Sequence, residues 1–196
     1  MIEFDSLRGH QCVLEQDGQR FVTLEDILPE QPGLKLLFVA KTPTSKSVEA
    51  GHYFQGRQGR MFWNKLREFD VFRATTRFED DSLLAHEYGI TDIAKLPHEF
   101  GCEPNTREYV EGAERILGLI RVHRPKILCF VYKRVLDELL RIRFGWSQKA
   151  RYGFNPDLEP MLPAKVFAFP MPGTPCVKQD ADAAMQDLAR VLGRTA

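Results

Sequence analysis

The sequence lacks every cysteine arrangement that marks a metal or redox centre. Cys12, Cys102, Cys129 and Cys176 stand singly, with no Cys-x-x-Cys pair and no Cys/His spacing suited to zinc or an iron–sulfur cluster. Four reduced thiols are expected, in a chain that works without a metal or other cofactor. No Walker loop or Gly-x-Gly-x-x-Gly is present, and Gly51, Gly56 and Gly59 match neither pattern, so nucleotide hydrolysis and dinucleotide redox chemistry lose their main support. Gly-x-Ser-x-Gly is also missing, which removes the nucleophile elbow of a Ser/His/Asp hydrolase. No apolar run approaches the roughly 20 residues of a membrane span, and the first ten residues carry charges where a signal peptide needs an apolar stretch. The expectation is a protein that stays inside the cell, in the cytoplasm, with no membrane association.

An excess of one charge sign is missing too. Lys and Arg number 27 against 27 Asp and Glu, for a formal net charge of +0, which argues against a general polyanion binder. The charges are nevertheless segregated: from Arg115 to Arg151 there are ten basic residues against two acidic ones, and from Arg77 to Glu114 three against ten. A neutral total can hide a basic face, and both runs can equally be solvated helix surfaces. With 196 residues, 43% of them hydrophobic, the chain can bury one sizeable core.

What is present is an alternation of strand and helix patterns. Cys12 to Leu24 places Asp17-Gly18 between two alternating runs, the signature of a tight hairpin. Leu34 to Ala40 is a nearly continuous apolar run, as in a strand buried on both faces, and similar short runs occur at Gly89–Ala94, Lys126–Tyr132 and Ala164–Phe169. Between them, apolar residues recur at helical spacing from Met61 to Phe69, Thr106 to His123, Lys133 to Arg143 and Lys178 to Leu192. These patterns predict an α/β fold: three layers, α/β/α, around a mainly parallel sheet of about four strands, with an N-terminal β-hairpin. Residues 1–30 are expected to form the hairpin extension and 31–196 the main domain. Parallel sheets place ligands at the carboxyl ends of their strands, which singles out the loops after Ala40 and Phe169. Lys41 to Arg60 is long for an ordinary connection and is a candidate functional loop.

The order of features along these loops resembles a known family. Pro32-Gly33, the strand to Ala40, Lys41-Thr42-Pro43, then Gly51-His52-Tyr53-Phe54 and Phe62-Trp63 are similar to the first motif region of the mismatch-specific branch of the uracil-DNA glycosylase superfamily. Gly89-Ile90-Thr91-Asp92 resembles that family's Gly-Val/Phe-Thr strand, and Phe169-Pro170-Met171-Pro172-Gly173-Thr174 falls where the family carries Leu-Pro-Asn-Pro-Ser-Gly. The resemblance runs from about Gln31 onward. It implies base excision repair: a DNA glycosylase that flips a uracil or another deaminated or mismatched base from the duplex and hydrolyses its N-glycosidic bond. DNA, damaged or mismatched and duplex or single-stranded, is the implied partner.

Such a site needs a stacking platform, a positioned water, and stabilisation of an electron-poor sugar. In the resembled family an Asn after the first strand holds the water. Here Thr42 stands in its place, so Thr42 is the candidate catalytic residue and weaker, altered or absent uracil excision is expected. Phe54 is the candidate platform, with Tyr53 second and better suited to anchoring the loop. Ala40, Lys41, Pro43 and His52 complete the first substrate-binding region, and Met171, Pro172, Gly173 and Thr174 the second. Thr174, Pro175 and Val177 are candidates to fill the space a flipped base leaves. Lys41 could in principle form a Schiff base with an abasic sugar, although a strand-end lysine more often contacts phosphate or solvent. Phe62 and Trp63 are expected to pack. Arg57, Arg60 and Lys178 are candidates for the DNA backbone. The alternatives are a binding protein of the same fold with little or no catalytic activity, or a domain whose pocket is vestigial.

Overall fold

A computed structural model of the chain describes residues 6–99 and 101–193; the parts of the expected 1–30 and 31–196 segments beyond these lie outside the described residues. Strands β1 (Gln11–Gln16) and β2 (Gln19–Leu24) pair antiparallel with Gln16 opposite Gln19. Asp17 and Gly18 between them both have positive φ, 54° and 73°, the two-residue turn whose twist suits a hairpin.

The main sheet contains β3 (Leu36–Ala40), β4 (Tyr88–Asp92), β5 (Ile127–Phe130), β6 (Gly153–Phe154) and β7 (Lys165–Ala168), in the spatial order β4-β3-β5-β7-β6. The first four are parallel and correspond to the four apolar runs of the sequence. β6 is a two-residue antiparallel edge strand on β7, too short to show a pattern of its own.

Helices α1 (Ser45–Ala50), α2 (Arg57–Glu68), α3 (Thr106–His123), α4 (Lys133–Phe144) and α5 (Lys178–Val191) cover the sheet. Alternation along each strand divides the core. Phe38, Ile90 and Phe167 pack on the side of Phe62, Leu66 and Met185 from α2 and α5, whereas Leu37, Leu128 and Val166 pack on the side of Ile116, Leu136 and Leu139 from α3 and α4. This is the expected three-layer arrangement.

Two local readings change. The segment 41–60 is not a continuous loop: Thr44 caps α1 by accepting from the Ser47 N–H, and α2 begins at Arg57, four residues before the first apolar residue of its repeat. Much of the basic run is ion-paired, with Arg121 and Arg143 on Glu114, Arg141 on Glu138 and Arg151 on Asp157. It therefore forms paired helix and loop surface rather than a face of one sign. Among the described residues, no helix is long and apolar enough to cross a membrane.

Candidate active site

A cavity of about 560 Å³ opens at the carboxyl ends of the parallel strands. Thr42 and Pro43 follow β3, Asp92 ends β4, Tyr132 follows β5, and Pro172 and Gly173 follow β7; all line the cavity. The chain passes from β3 to β4 on one side and places β5 on the other, so the cavity stands at the sheet's topological switch point. Its volume is within the roughly 300–1,000 Å³ of small-molecule sites.

The opposite wall is the segment joining α1 to α2. Phe54 lines the cavity with its ring backed by Phe62 at 4.5 Å and, edge-on, by Trp63 at 5.9 Å between centroids. Its φ of 57° is unusual for a bulky side chain and costs of order 1–3 kcal/mol, strain of the kind held at functional sites. Gly59 makes the geometry possible: a Cβ there would lie 2.1 Å from the Phe54 carbonyl oxygen. Tyr53 is a buried anchor and also part of the wall, its hydroxyl donating to the Glu25 carbonyl at 2.9 Å. Phe62 and Trp63 are core residues, as their helical spacing predicts; the Trp63 indole N–H donates to the Tyr53 carbonyl.

Thr42 reaches the cavity, but its hydroxyl donates to the Leu96 carbonyl at 2.5 Å, so its lone pairs are what it can offer a water. Several other candidates are not brought to the cavity. Ala40 and Met171 are buried in the core beneath it. The Lys41 ammonium donates to the Cys102 carbonyl and to Glu103, at 2.8 and 2.9 Å. His52 is buried against Asp80. Thr174 turns back to donate to the Met171 carbonyl at 2.7 Å and lines a separate hollow.

The most informative residue was not singled out by sequence. Asp92 has the strand parity of Tyr88 and Ile90, side chains in the apolar layer under α2, and it is 1% exposed. Its Oδ2 accepts no hydrogen bond, although the Lys95 ammonium stands 3.8 Å from it. Burial pushes its pKa up to about 6 despite the opposing Lys95, with Asp26 adding to the rise. Behind it, Asp26 accepts from Thr91 at 2.7 Å, Lys95 at 2.8 Å and Arg115 at 2.6 Å. These two cations outweigh the burial of Asp26 and hold its carboxyl below the usual range. Arg115 also donates to the Asp92 carbonyl. Tyr132, likewise unanticipated, has its phenol pushed up to about 12 by burial and by the Asp92 charge. An acidic residue ending a buried strand was the available signal, since the rule that selected the loops after β3 and β7 applies equally to β4.

Charge at the rim is mixed, two cations against Glu99, which accepts from the Ser45 hydroxyl. Lys46 and Arg57 line the cavity, and Arg60 stands one helical turn beyond Gly56, donating to the Gln55 carbonyl. α2 opens beside the cavity with no side-chain cap and no acid in its first turn, a helix end suited to an anion. Lys178 begins α5, which also lacks a side-chain cap.

Fold and site together define a three-layer α/β protein with a cleft at its strand ends, walled by Phe54 on one side and Asp92 on the other. The chain belongs to the Uracil DNA glycosylase superfamily, whose family model matches residues 30–186. It is 25% identical over 157 residues to the G/U mismatch-specific uracil DNA glycosylase of Schizosaccharomyces pombe (strain 972 / ATCC 24843), an alignment that covers 78% of this chain and 47% of that protein. The chain thus spans about half the length of the curated relative it matches.

Proposed function

We propose that the protein is a monofunctional DNA glycosylase that takes a flipped uracil, or another deaminated or mismatched base, into this cavity and hydrolyses its N-glycosidic bond. One observation carries the reading: a single cleft joins an aromatic ring in strained backbone, Phe54, to a buried carboxylate with an unsatisfied oxygen, Asp92. Phe54 supplies the stacking face. Asp92, with a pKa near 6, is mostly ionised at neutral pH; it accepts a proton from the attacking water and its charge stabilises the cationic sugar as the bond breaks. Thr42 accepts a hydrogen bond from the same water. The base leaves as an anion toward Lys46, while Arg57 and the start of α2 hold the adjoining phosphate. Membership of the superfamily and the matched G/U enzyme support this chemistry.

The test uses labelled duplex and single-stranded oligonucleotides carrying uracil, a G·T mismatch, hypoxanthine or xanthine, followed by alkaline cleavage. Excision that falls in both Thr42→Ala and Asp92→Asn supports the reading. The engaged Thr42 hydroxyl favours a second one, in which the protein binds damaged DNA without cutting it. Salt-sensitive binding with no product at stoichiometric protein would establish that alternative.

A further inference from the structure

Outside the cavity, three segments bring two imidazoles and two carboxylates together. His10 immediately precedes β1, His52 lies in the turn before Tyr53 and Phe54, and Asp80 and Asp81 belong to the short 3-10 turn Glu79–Ser82. One donor atom from each residue lies within 4.8 Å of the other three. Nδ1 of His52 is 3.0 Å from Asp80 Oδ1 and 3.6 Å from Asp81 Oδ1. Nε2 of His10 is 2.9 Å from Asp81 Oδ1 and 3.9 Å from Asp80 Oδ2. Tetrahedral ligands about 2.0–2.1 Å from zinc stand roughly 3.4 Å from one another. The printed separations lie on either side of that edge and no donor is more than 4.8 Å from another, so shifts of about 1 Å would close the four residues on an ion.

We propose that His10, His52, Asp80 and Asp81 form a structural zinc site. Two neutral imidazoles and two carboxylates carry a charge of −2, which a divalent cation cancels, and Asp80 and His52 are buried where uncompensated charge is expensive. Mixed nitrogen and oxygen donors suit zinc, whereas magnesium and calcium take oxygen alone. Four protein ligands make a closed site rather than a catalytic one.

The supporting contacts are those of a built site. The Glu25 carboxylate lies 3.5 Å from His10 Nδ1, on the side of the ring turned away from the two aspartates, near enough to tighten into an orienting hydrogen bond once the ring is held by an ion. The Tyr53 N–H donates to Asp80 Oδ2 at 2.7 Å, leaving Oδ1 for the ion. The His52 ring stacks on Phe78, 3.6 Å between centroids and 11° apart. The two histidine segments interlock: His10 N–H donates to the Gly51 carbonyl at 2.8 Å, and a Cβ on Gly9 would fall 2.4 Å from that oxygen and 2.8 Å from His52 Nε2. A bound ion would thus fasten the start of the hairpin and the 79–82 turn to the segment that carries Tyr53 and Phe54. The sequence expectation of a chain without metal rested on cysteine; these ligands come from three distant stretches, so no spacing announces them.

The experiment uses the full chain, stripped with EDTA and titrated with zinc chloride and, separately, cobalt(II). One zinc per chain is expected, with a rise in Tm and the intense visible absorption of tetrahedral cobalt(II). His10→Ala and Asp81→Asn alter partly exposed side chains; folded by circular dichroism, each is expected to bind zinc at least about tenfold more weakly. Absence of stoichiometric zinc uptake by the unmodified chain, the pale spectrum of octahedral cobalt(II), or unchanged affinity in both variants would overturn the proposal. Each readout is independent of glycosylase activity.

Discussion

Asp92→Asn is expected to make the protein more stable and less active. The carboxyl is fully buried, and its pKa rises from an ordinary 3.8 to about 6 in the fold. Below pH 4 both folded and unfolded chains hold the proton, and no cost arises. Between about pH 4 and pH 6 the unfolded chain gives up its proton first, so stability falls, and above pH 6 the full cost of about 3 kcal/mol is present. Asn keeps the shape without the charge. The variant should therefore gain about 2–3 kcal/mol over the unmodified protein at pH 7.5, a Tm rise of roughly 5–10 °C for a chain of this size, and almost nothing at pH 4. Asp26 titrates in the opposite sense but is common to both proteins and cancels in the difference. Urea melts followed by circular dichroism across pH 4–8, paired with single-turnover excision, measure both halves. A stability difference that does not grow between pH 4 and pH 6, or a variant less stable at pH 7.5, would refute the reasoning. Retained excision would remove Asp92 from the chemistry.

Phe54→Ala should weaken binding of a uracil-containing oligonucleotide by about 10- to 100-fold, the worth of one base–aromatic stack, in a competition gel shift. Gly59→Ala places its Cβ 2.1 Å from the Phe54 carbonyl oxygen; it should cost about 1–3 kcal/mol in a thermal melt, and excision should fall with the displaced ring. Arg57→Gln and Lys178→Gln should each lower the slope of log affinity against log salt by about 0.9 if each side chain meets a duplex phosphate, with no change in which base is preferred.

Much of the architecture was legible because it depends on local chemistry. Four short, mostly apolar runs are suited to burial on both faces, and helical patterns between them favour parallel crossovers; Asp17-Gly18 fixed the hairpin turn for equally local reasons. The same logic located the loops after β3 and β7, and with them Thr42, Pro43, Phe54, Pro172 and Gly173 around one cavity. It was silent on β6, which is two residues long, and on α1, whose six residues carry little periodicity.

What the tertiary structure alone decided is which way each side chain of those loops faces. Lys41, next to Thr42, turns to Glu103, and His52, next to Tyr53, turns to Asp80, because each found a charged partner supplied by a distant segment. Asp92 acquired its importance in the same way. Its position at a strand end was visible, but its pKa follows from burial opposed by Lys95 and reinforced by Asp26, a hairpin-side residue 66 positions away. Periodicity reports where a chain is apolar and hence what it buries. Hydrogen-bond partners and desolvation belong to the assembled fold, and they determine what each buried polar group can do.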